Sequence, residues 1–127
     1  MIFTIEEVLA IQGLLIREFG GSSGLRDQAL LEAALNRPMQ TFDGQELYPS
    51  PKEKAAALLE SLVVNHPFQD GNKRIGYVLM RLVLLEAGED AVATQEEKYD
   101  LVMRVAKGEL GHAGIVSWLE EKNKNSL

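Results

Sequence analysis

Apolar side chains recur at helical spacing along most of this chain, and helix start and stop signals separate the apolar segments. Most segments open at a residue that can cap a helix and close near a glycine or a proline. The pattern predicts these helices: Thr4 to Gly20, Asp27 to Pro38, Ser50 through Val63, about Asn72 to Gly88, Thr94 to near Gly108, and a last helix that carries Ile115, Val116, Trp118 and Leu119. The fold class is therefore predicted to be all-α.

No internal repeat, linker or low-complexity run divides the chain, so a single domain of residues 1–127 is predicted. His112 lies between two glycines and is predicted to be a loop residue. The polar segment from Lys122 to Leu127 is predicted to be a frayed tail.

One segment departs from the helical pattern. Residues 39–48 alternate apolar and polar side chains around Asp43-Gly44, and Pro38 and Pro49 bound the segment. Asp-Gly between alternating residues is a strong signal for a β-hairpin. The pattern alone leaves a plain surface loop as the alternative.

Charge and composition limit the possible partners. The net charge is -6 at pH 7, which argues against broad electrostatic binding to nucleic acid or to an anionic membrane. No uninterrupted apolar segment reaches about 18 residues, the length of a membrane span, so no membrane association is expected. The chain has no cysteine, and its first residues lack the pattern of a secretory signal. A cytoplasmic location is therefore expected.

The segment 65–74 reads Asn-His-Pro-Phe-Gln-Asp-Gly-Asn-Lys-Arg and leads into the apolar run of the fourth predicted helix. A polar loop before a buried helix presents unpaired backbone N–H groups and the positive end of the helix dipole to an anion. Lys73 and Arg74 add mobile counter-charge. Gly71, Asn72, Lys73 and Arg74 are therefore candidate phosphate-binding residues.

Two further residues complete the predicted chemistry. Asp70 is a candidate Mg²⁺ ligand, and His66 is the candidate general base, because imidazole ordinarily exchanges a proton near neutral pH. Structural roles are the alternatives: a histidine at a helix end, an aspartate that caps the next helix, and solvated cations at Lys73 and Arg74. Cations at a helix N-terminus oppose its dipole unless an anion lies between them, which favours a site for transferring part of a nucleotide.

The order of these residues resembles the signature of the Fic/Doc family, H-x-F-x-[DE]-[GA]-N-x-R. The matching residues are His66, Phe68, Asp70, Gly71, Asn72 and Arg74. In the branch that transfers AMP to proteins, glycine stands at the position of Lys73 and a second arginine at the position of Tyr77. Both departures resemble the Doc (death-on-curing) branch, whose motif ends in N-K-R. Residues 20–27, Gly-Gly-Ser-Ser-Gly-Leu-Arg-Asp, also resemble Doc-type proteins.

The resemblance implies a compact, Fic-like helical bundle that uses ATP as its substrate and Mg²⁺ as its cofactor. It also implies a β-hairpin flap that positions the target segment, formed here by Thr41, Phe42, Asp43 and Gly44. The Doc branch implies a toxin that acts as a protein kinase. It would move the γ-phosphate of ATP to a Ser or Thr hydroxyl of a translation factor, elongation factor Tu by resemblance. A protein AMP-transferase and a catalytically silent binding module remain the alternatives.

The resemblance further implies an antitoxin whose segment folds onto the toxin and blocks the nucleotide site. Many Fic proteins instead carry their own inhibitory helix, with the pattern [ST]-x-x-x-E-[GN]. The sequence has no Glu-Gly or Glu-Asn pair, so it lacks that pattern. An antitoxin protein that acts in trans is therefore expected.

Overall fold

The computed structural model describes residues 2–123, and this part of the chain confirms the all-α prediction. Its elements in order are α1 (Ile5–Phe19), α2 (Gln28–Asn36), a 3-10 turn (Arg37–Met39), β1 (Thr41–Phe42), β2 (Gln45–Glu46), α3 (Pro51–Asn65), α4 (Asn72–Glu86), α5 (Gln95–Ala106) and α6 (His112–Glu121). None of the helices in residues 2–123 is long and apolar enough to cross a membrane.

Four helices begin at the caps that the sequence predicts. The side-chain oxygens of Thr4, Asp27, Ser50 and Thr94 each accept a hydrogen bond from the backbone N–H three residues later. These bonds satisfy N–H groups that have no partner inside a helix. The N-termini of α1, α2, α3 and α5 are therefore specified locally.

Helix α3 lies at the centre of the molecule. It contacts α2, α4, α5 and α6, and most extensively α4. A Cβ atom at Gly76 of α4 would lie 3.2 Å from side-chain atoms of both Leu59 and Val63 of α3. The missing side chain thus lets the two helices approach closely, which fixes both ends of the short loop that joins them.

The predicted hairpin forms, with Thr41 opposite Glu46 and Phe42 opposite Gln45. Asp43 (φ 53°) and Gly44 (φ 79°) form the turn, both in the left-handed region that the favoured two-residue turn requires. Every residue of the two strands is exposed, so the hairpin buries little of its own surface.

The C-terminal part differs from the prediction in two respects. His112 is the first residue of α6, so the expectation of a loop residue is wrong. The predicted tail is also wrong for Lys122 and Asn123: the Lys122 carbonyl accepts a hydrogen bond from the Val92 N–H at 2.9 Å, and Asn123 pairs with Ala91. This backbone pairing joins distant segments, which no local pattern shows. The rest of the predicted tail lies outside the described residues.

Candidate functional site

The loop between α3 and α4 begins with His66. Helix α3 ends at Asn65, and His66 follows in the left-handed conformation, with φ 51° and ψ 60°. Pro67 and Phe68 are buried directly after it, whereas His66 is exposed. The buried pair anchors the loop in the core and leaves the imidazole accessible to a substrate.

The segment before α2 pairs with this loop through backbone hydrogen bonds. The N–H groups of Arg26 and Asp27 both donate to the Pro67 carbonyl, at 2.8 and 3.0 Å, and the Gln69 N–H donates to the Gly24 carbonyl at 3.1 Å. The path of the chain after His66 is therefore set by residues about 40 positions earlier.

Asn72 shapes the loop with its side chain. Its Oδ1 accepts a hydrogen bond from the Phe68 N–H, and its Nδ2 donates to the Phe68 carbonyl, both at 3.0 Å. The residue is 8% exposed. The amide group is thus engaged inside the protein, and the backbone N–H is the part of Asn72 that remains for a phosphate.

The Asp70 carboxylate is held by two backbone N–H groups. Its Oδ1 accepts from Gly71 at 2.9 Å and its Oδ2 from Ser22 at 3.2 Å. The buried Gln12 side chain donates to the Asp70 carbonyl at 2.6 Å, and a Cβ at Gly21 would lie 2.7 Å from Asp70 Oδ2. The sequence interpretation did not identify Gln12, Gly21 and Ser22 as neighbours of Asp70; it took Gly21 as part of a helix stop and of a segment that resembles Doc-type proteins.

Asp70 does not cap α4, so its oxygens retain lone pairs for a metal ion. Residues 2–123 contain no group of three or more His, Cys, Asp or Glu side chains that could hold a metal. This part of the chain therefore does not form a metal site from protein ligands alone. A single oriented carboxylate fits Mg²⁺, which proteins commonly bind through one or two carboxylates together with substrate phosphates and water.

The N-terminus of α4 offers three backbone donors. Gly71 precedes the helix with φ 77° and supplies no capping side chain. The first backbone bond of the helix runs from the Ile75 N–H to the Gly71 carbonyl at 3.0 Å. The N–H groups of Asn72, Lys73 and Arg74 have no acceptor within residues 2–123. These groups and the helix dipole favour an anion at this place.

Lys73 and Arg74 are available as counter-charge. Neither forms an ion pair with a carboxylate in residues 2–123. The Arg74 guanidinium lies 4.4 Å from the centroid of the Phe19 ring. Positive charge therefore collects beside the free N–H groups of α4, although the protein as a whole is acidic.

Both cations also line a groove of about 610 Å³ between α1, α4 and α5. Its apolar lining includes side chains that are substantially exposed: Phe19 (60%), Leu85 (47%) and Tyr99 (66%). An uncovered apolar groove with a basic rim is typical of a binding surface.

Tyr77 stands in the same groove, where the AMP-transfer branch would have its second arginine. Its hydroxyl is buried and has no hydrogen-bond partner within the described residues. Burial raises the pKa of Tyr77 to about 12. The phenol is therefore neutral at ordinary pH and supplies no charge to a phosphate.

The hairpin residues Thr41, Phe42, Asp43 and Gly44 are exposed, and the Phe42 side chain is 76% exposed. Lys54 of α3 holds the second strand, since its Nζ lies 2.7 Å from Glu46 Oε1. Within residues 2–123, the hairpin makes no hydrogen bond to the loop that carries His66. The structure thus confirms the hairpin itself, and its role as a target-positioning flap stays a prediction.

Two comparisons with known proteins show what this chain is similar to. The model of the Fic/DOC family matches residues 2–84, which include α1, the hairpin, His66 and most of α4. A protein of Mycolicibacterium smegmatis named Toxin Doc is 51% identical over 59 residues, or 46% of this chain. The match spans 45% of the length of that relative, less than half of it. The family model covers well over half of the chain, and the chain therefore belongs to the Fic/DOC family.

Proposed function

We propose that this protein is a phosphotransferase that moves the γ-phosphate of ATP to a Ser or Thr hydroxyl of a target protein, and that it acts as the toxin of a toxin–antitoxin pair. The observation that carries the proposal is the N-terminus of α4. Three N–H groups without an acceptor and two cations without a carboxylate partner among the described residues directly follow the short loop that carries His66 and Asp70.

His66 acts as the general base in this mechanism. It accepts the proton of the target hydroxyl while the hydroxyl oxygen forms a bond to the γ-phosphorus of ATP. The bond between that phosphorus and the oxygen bridging to the β-phosphate breaks, and ADP leaves with the electron pair. The exposed imidazole and the anchored backbone of the loop suit this role.

The phosphate groups bind at the start of α4. The N–H groups of Asn72, Lys73 and Arg74 and the two side-chain cations stabilise the charge that spreads over the transferring group. Asp70 would hold Mg²⁺, which would neutralise phosphate charge. The hydrogen bonds from Ser22 and Gly71 keep the Asp70 carboxylate in one orientation.

Lys73 and Tyr77 favour phosphate transfer over AMP transfer. A lysine at position 73 fills space that glycine would leave for a phosphate against the backbone. A neutral phenol with a buried hydroxyl at position 77 cannot replace the charge of the second arginine of the AMP-transfer signature. A nucleotide that presents its γ-phosphate to the acceptor avoids both restrictions.

The biological role follows from the relative. The name of that relative, Toxin Doc, supports a toxin with an antitoxin partner in trans. Elongation factor Tu is the proposed target, and the basic, apolar groove between α1, α4 and α5 is the proposed surface for the antitoxin segment. An acidic amphipathic segment would match the charge and the exposed side chains of this groove.

The position of a radioactive label tests the transfer reaction. The protein is incubated with elongation factor Tu, Mg²⁺ and ATP labelled at either the γ- or the α-phosphate. We expect the target to take up only the γ-label and to gain the mass of one phosphate group. Uptake of the α-label, with the mass of AMP, would show that the enzyme is an AMP-transferase.

His66→Ala provides the test of the base. Loss of proton transfer should lower the rate by roughly 10²–10⁴. The matched control is His112→Gln, because His112 lies in α6 and Gln retains a donor for the Glu53 carbonyl that His112 contacts. Wild-type rates in a folded His66→Ala protein would exclude His66 as the base.

A further inference from the structure

Arg26 contacts the backbone of the proposed base. Its Nε donates to the His66 carbonyl at 2.6 Å, and its Nη2 donates to the Asn65 carbonyl at 2.7 Å. Arg26 lies just before α2, far from both residues in sequence. One guanidinium group thus joins the last residue of α3 to the first residue of the loop.

These carbonyls belong to the end of α3, where backbone acceptors have no partner inside the helix. Helices commonly end with glycine in the left-handed conformation, because a Cβ atom makes that conformation unfavourable. His66 adopts it with φ 51° and is not glycine. Another interaction must therefore hold the backbone there, and the two hydrogen bonds from Arg26 do so.

The shape of the guanidinium suits this task. Arginine presents several N–H donors in a rigid plane, so that one side chain bonds two neighbouring oxygens with a defined direction between them. The ammonium group of lysine is a compact charge on a flexible stem and lacks this fork. Arg26 forms no ion pair with a carboxylate in residues 2–123.

Further bonds hold the chain on both sides of this contact. The backbone N–H groups of Arg26 and Asp27 donate to the Pro67 carbonyl, and the Asn72 side chain holds Phe68. His66 lies between these anchored positions. Among the described residues, the Arg26 side chain is the only hydrogen-bond partner of the His66 backbone. The guanidinium therefore restrains the backbone from which the imidazole extends.

We infer that Arg26 is a positioning residue that fixes the backbone of His66 for proton transfer. The inference rests on the proposed function in so far as His66 is the base. Among the described residues, the Arg26 side chain bonds only the carbonyls of Asn65 and His66, so its effect on the reaction passes through the His66 backbone. A misplacement of about 1 Å at a reacting group can cost roughly 100-fold in rate.

Kinetics with three variants test the role in catalysis. Arg26→Ala should lower kcat by roughly 10- to 100-fold and change KM for Mg-ATP little, since phosphate binding is carried by α4. Arg26→Lys should recover only part of the loss, and added methylguanidinium should partly restore Arg26→Ala. The matched control Arg17→Ala removes an exposed cation of α1 and should behave as wild type.

A spectroscopic measurement tests the contact without relying on activity. The ¹³C carbonyl resonances of Asn65 and His66 should shift in Arg26→Ala and not in Arg17→Ala, because two hydrogen-bond donors are lost. Unchanged resonances would overturn the inference, as would an unchanged kcat in folded Arg26→Ala. If the wild type transfers no phosphate, the proposed function fails, and the carbonyl resonances alone decide whether Arg26 fixes His66.

Discussion

Asp70 is an exposed carboxylate that is oriented by neighbours distant from it in sequence. Ser22 donates its N–H to Oδ2, and Gln12 donates to the main-chain carbonyl of the same residue. Gly21 leaves the space in which Oδ2 lies. The orientation of this candidate Mg²⁺ ligand therefore depends on the segment after α1 as much as on the loop itself.

Gly21→Ala tests this orientation. The new Cβ would lie 2.7 Å from Asp70 Oδ2, whereas a Cβ at Gly20 would meet nothing within 4 Å. Both glycines have positive φ, so each alanine variant should lose about 1–3 kcal/mol of stability from backbone strain. We expect only Gly21→Ala to weaken Mg-dependent ATP binding as well, toward the level of Asp70→Asn. Calorimetric titrations with and without Mg²⁺ measure this, and equal affinities for the two alanine variants would contradict it.

Tyr77 allows a prediction of pH dependence. Burial is the main cause that raises its pKa to about 12, with a smaller contribution from Asp90. In the unfolded chain a tyrosine ionises near pH 10. The free energy of unfolding is therefore unaffected by this group below about pH 10. It falls as the pH rises from about 10 toward about 12, because the unfolded chain ionises first.

Tyr77→Phe should consequently lose less stability than the wild type over that pH range. Near neutral pH we expect the variant to be at least as stable as the wild type, because the buried hydroxyl has no partner to lose within the described residues. Thermal melts at about pH 8 and about pH 11 compare the two proteins. Parallel losses of melting temperature would argue against this assignment.

Helix α4 has a buried body and an N-terminus without a side-chain cap. Gly76 lets its apolar face approach α3 closely, which holds the helix axis in place. Its first turn contains two cations and no acidic residue, the opposite of what the helix dipole favours. The packed body thus stabilises a helix start whose first three N–H groups have no acceptor within residues 2–123.

Lys73→Gly tests the start of this helix. The change removes a positive charge and opens space at the backbone, at a cost of up to about 1 kcal/mol in helix propensity. We expect slower phosphate transfer and the appearance of slow AMP transfer, limited by the absence of an arginine at position 77. Lys107→Gly, at the end of α5, is the control for loss of an exposed lysine. Intact-mass spectrometry identifies the added group, and undiminished phosphorylation would mean that Lys73 does not select the transfer.

The groove between α1, α4 and α5 exists only in the folded molecule, because three helices that are separate in sequence form it. Leu85 in this groove is 47% exposed, and Leu14 on α1 is 58% exposed but lies outside it. Burial of a leucine in an interface contributes about 1.5–3 kcal/mol. The groove thus provides a matched pair of leucines with which to locate the proposed antitoxin.

Leu85→Asp should weaken antitoxin binding by at least roughly tenfold, because it removes apolar contact and places a negative charge where an acidic segment is expected. Leu14→Asp should bind as the wild type does. Titration calorimetry measures the affinities, and growth assays should show that only Leu85→Asp remains toxic when the antitoxin is present. Equal rescue of both variants would place the antitoxin elsewhere.

Signals within a few residues allowed the sequence to predict much of this protein. The caps at Thr4, Asp27, Ser50 and Thr94 act over three positions, and the Asp43-Gly44 turn depends on two residues. Local pattern therefore sufficed for four helix starts and for the hairpin. The loop motif likewise placed His66 and Asp70 beside the N-terminus of α4 from their spacing alone.

Contacts over long separations were decided only by the tertiary structure. The bonds from Arg26 to His66, from Ser22 to Asp70 and from Gln12 to Asp70 span 40, 48 and 58 positions. No local pattern marks such pairs, because they form only when α1 and the segment before α2 pack against the loop. The sequence by itself thus indicated the candidate reactive groups His66 and Asp70, because they lie within one short motif. Packing decided how their backbones and side chains are held, because the residues that hold them are distant in sequence.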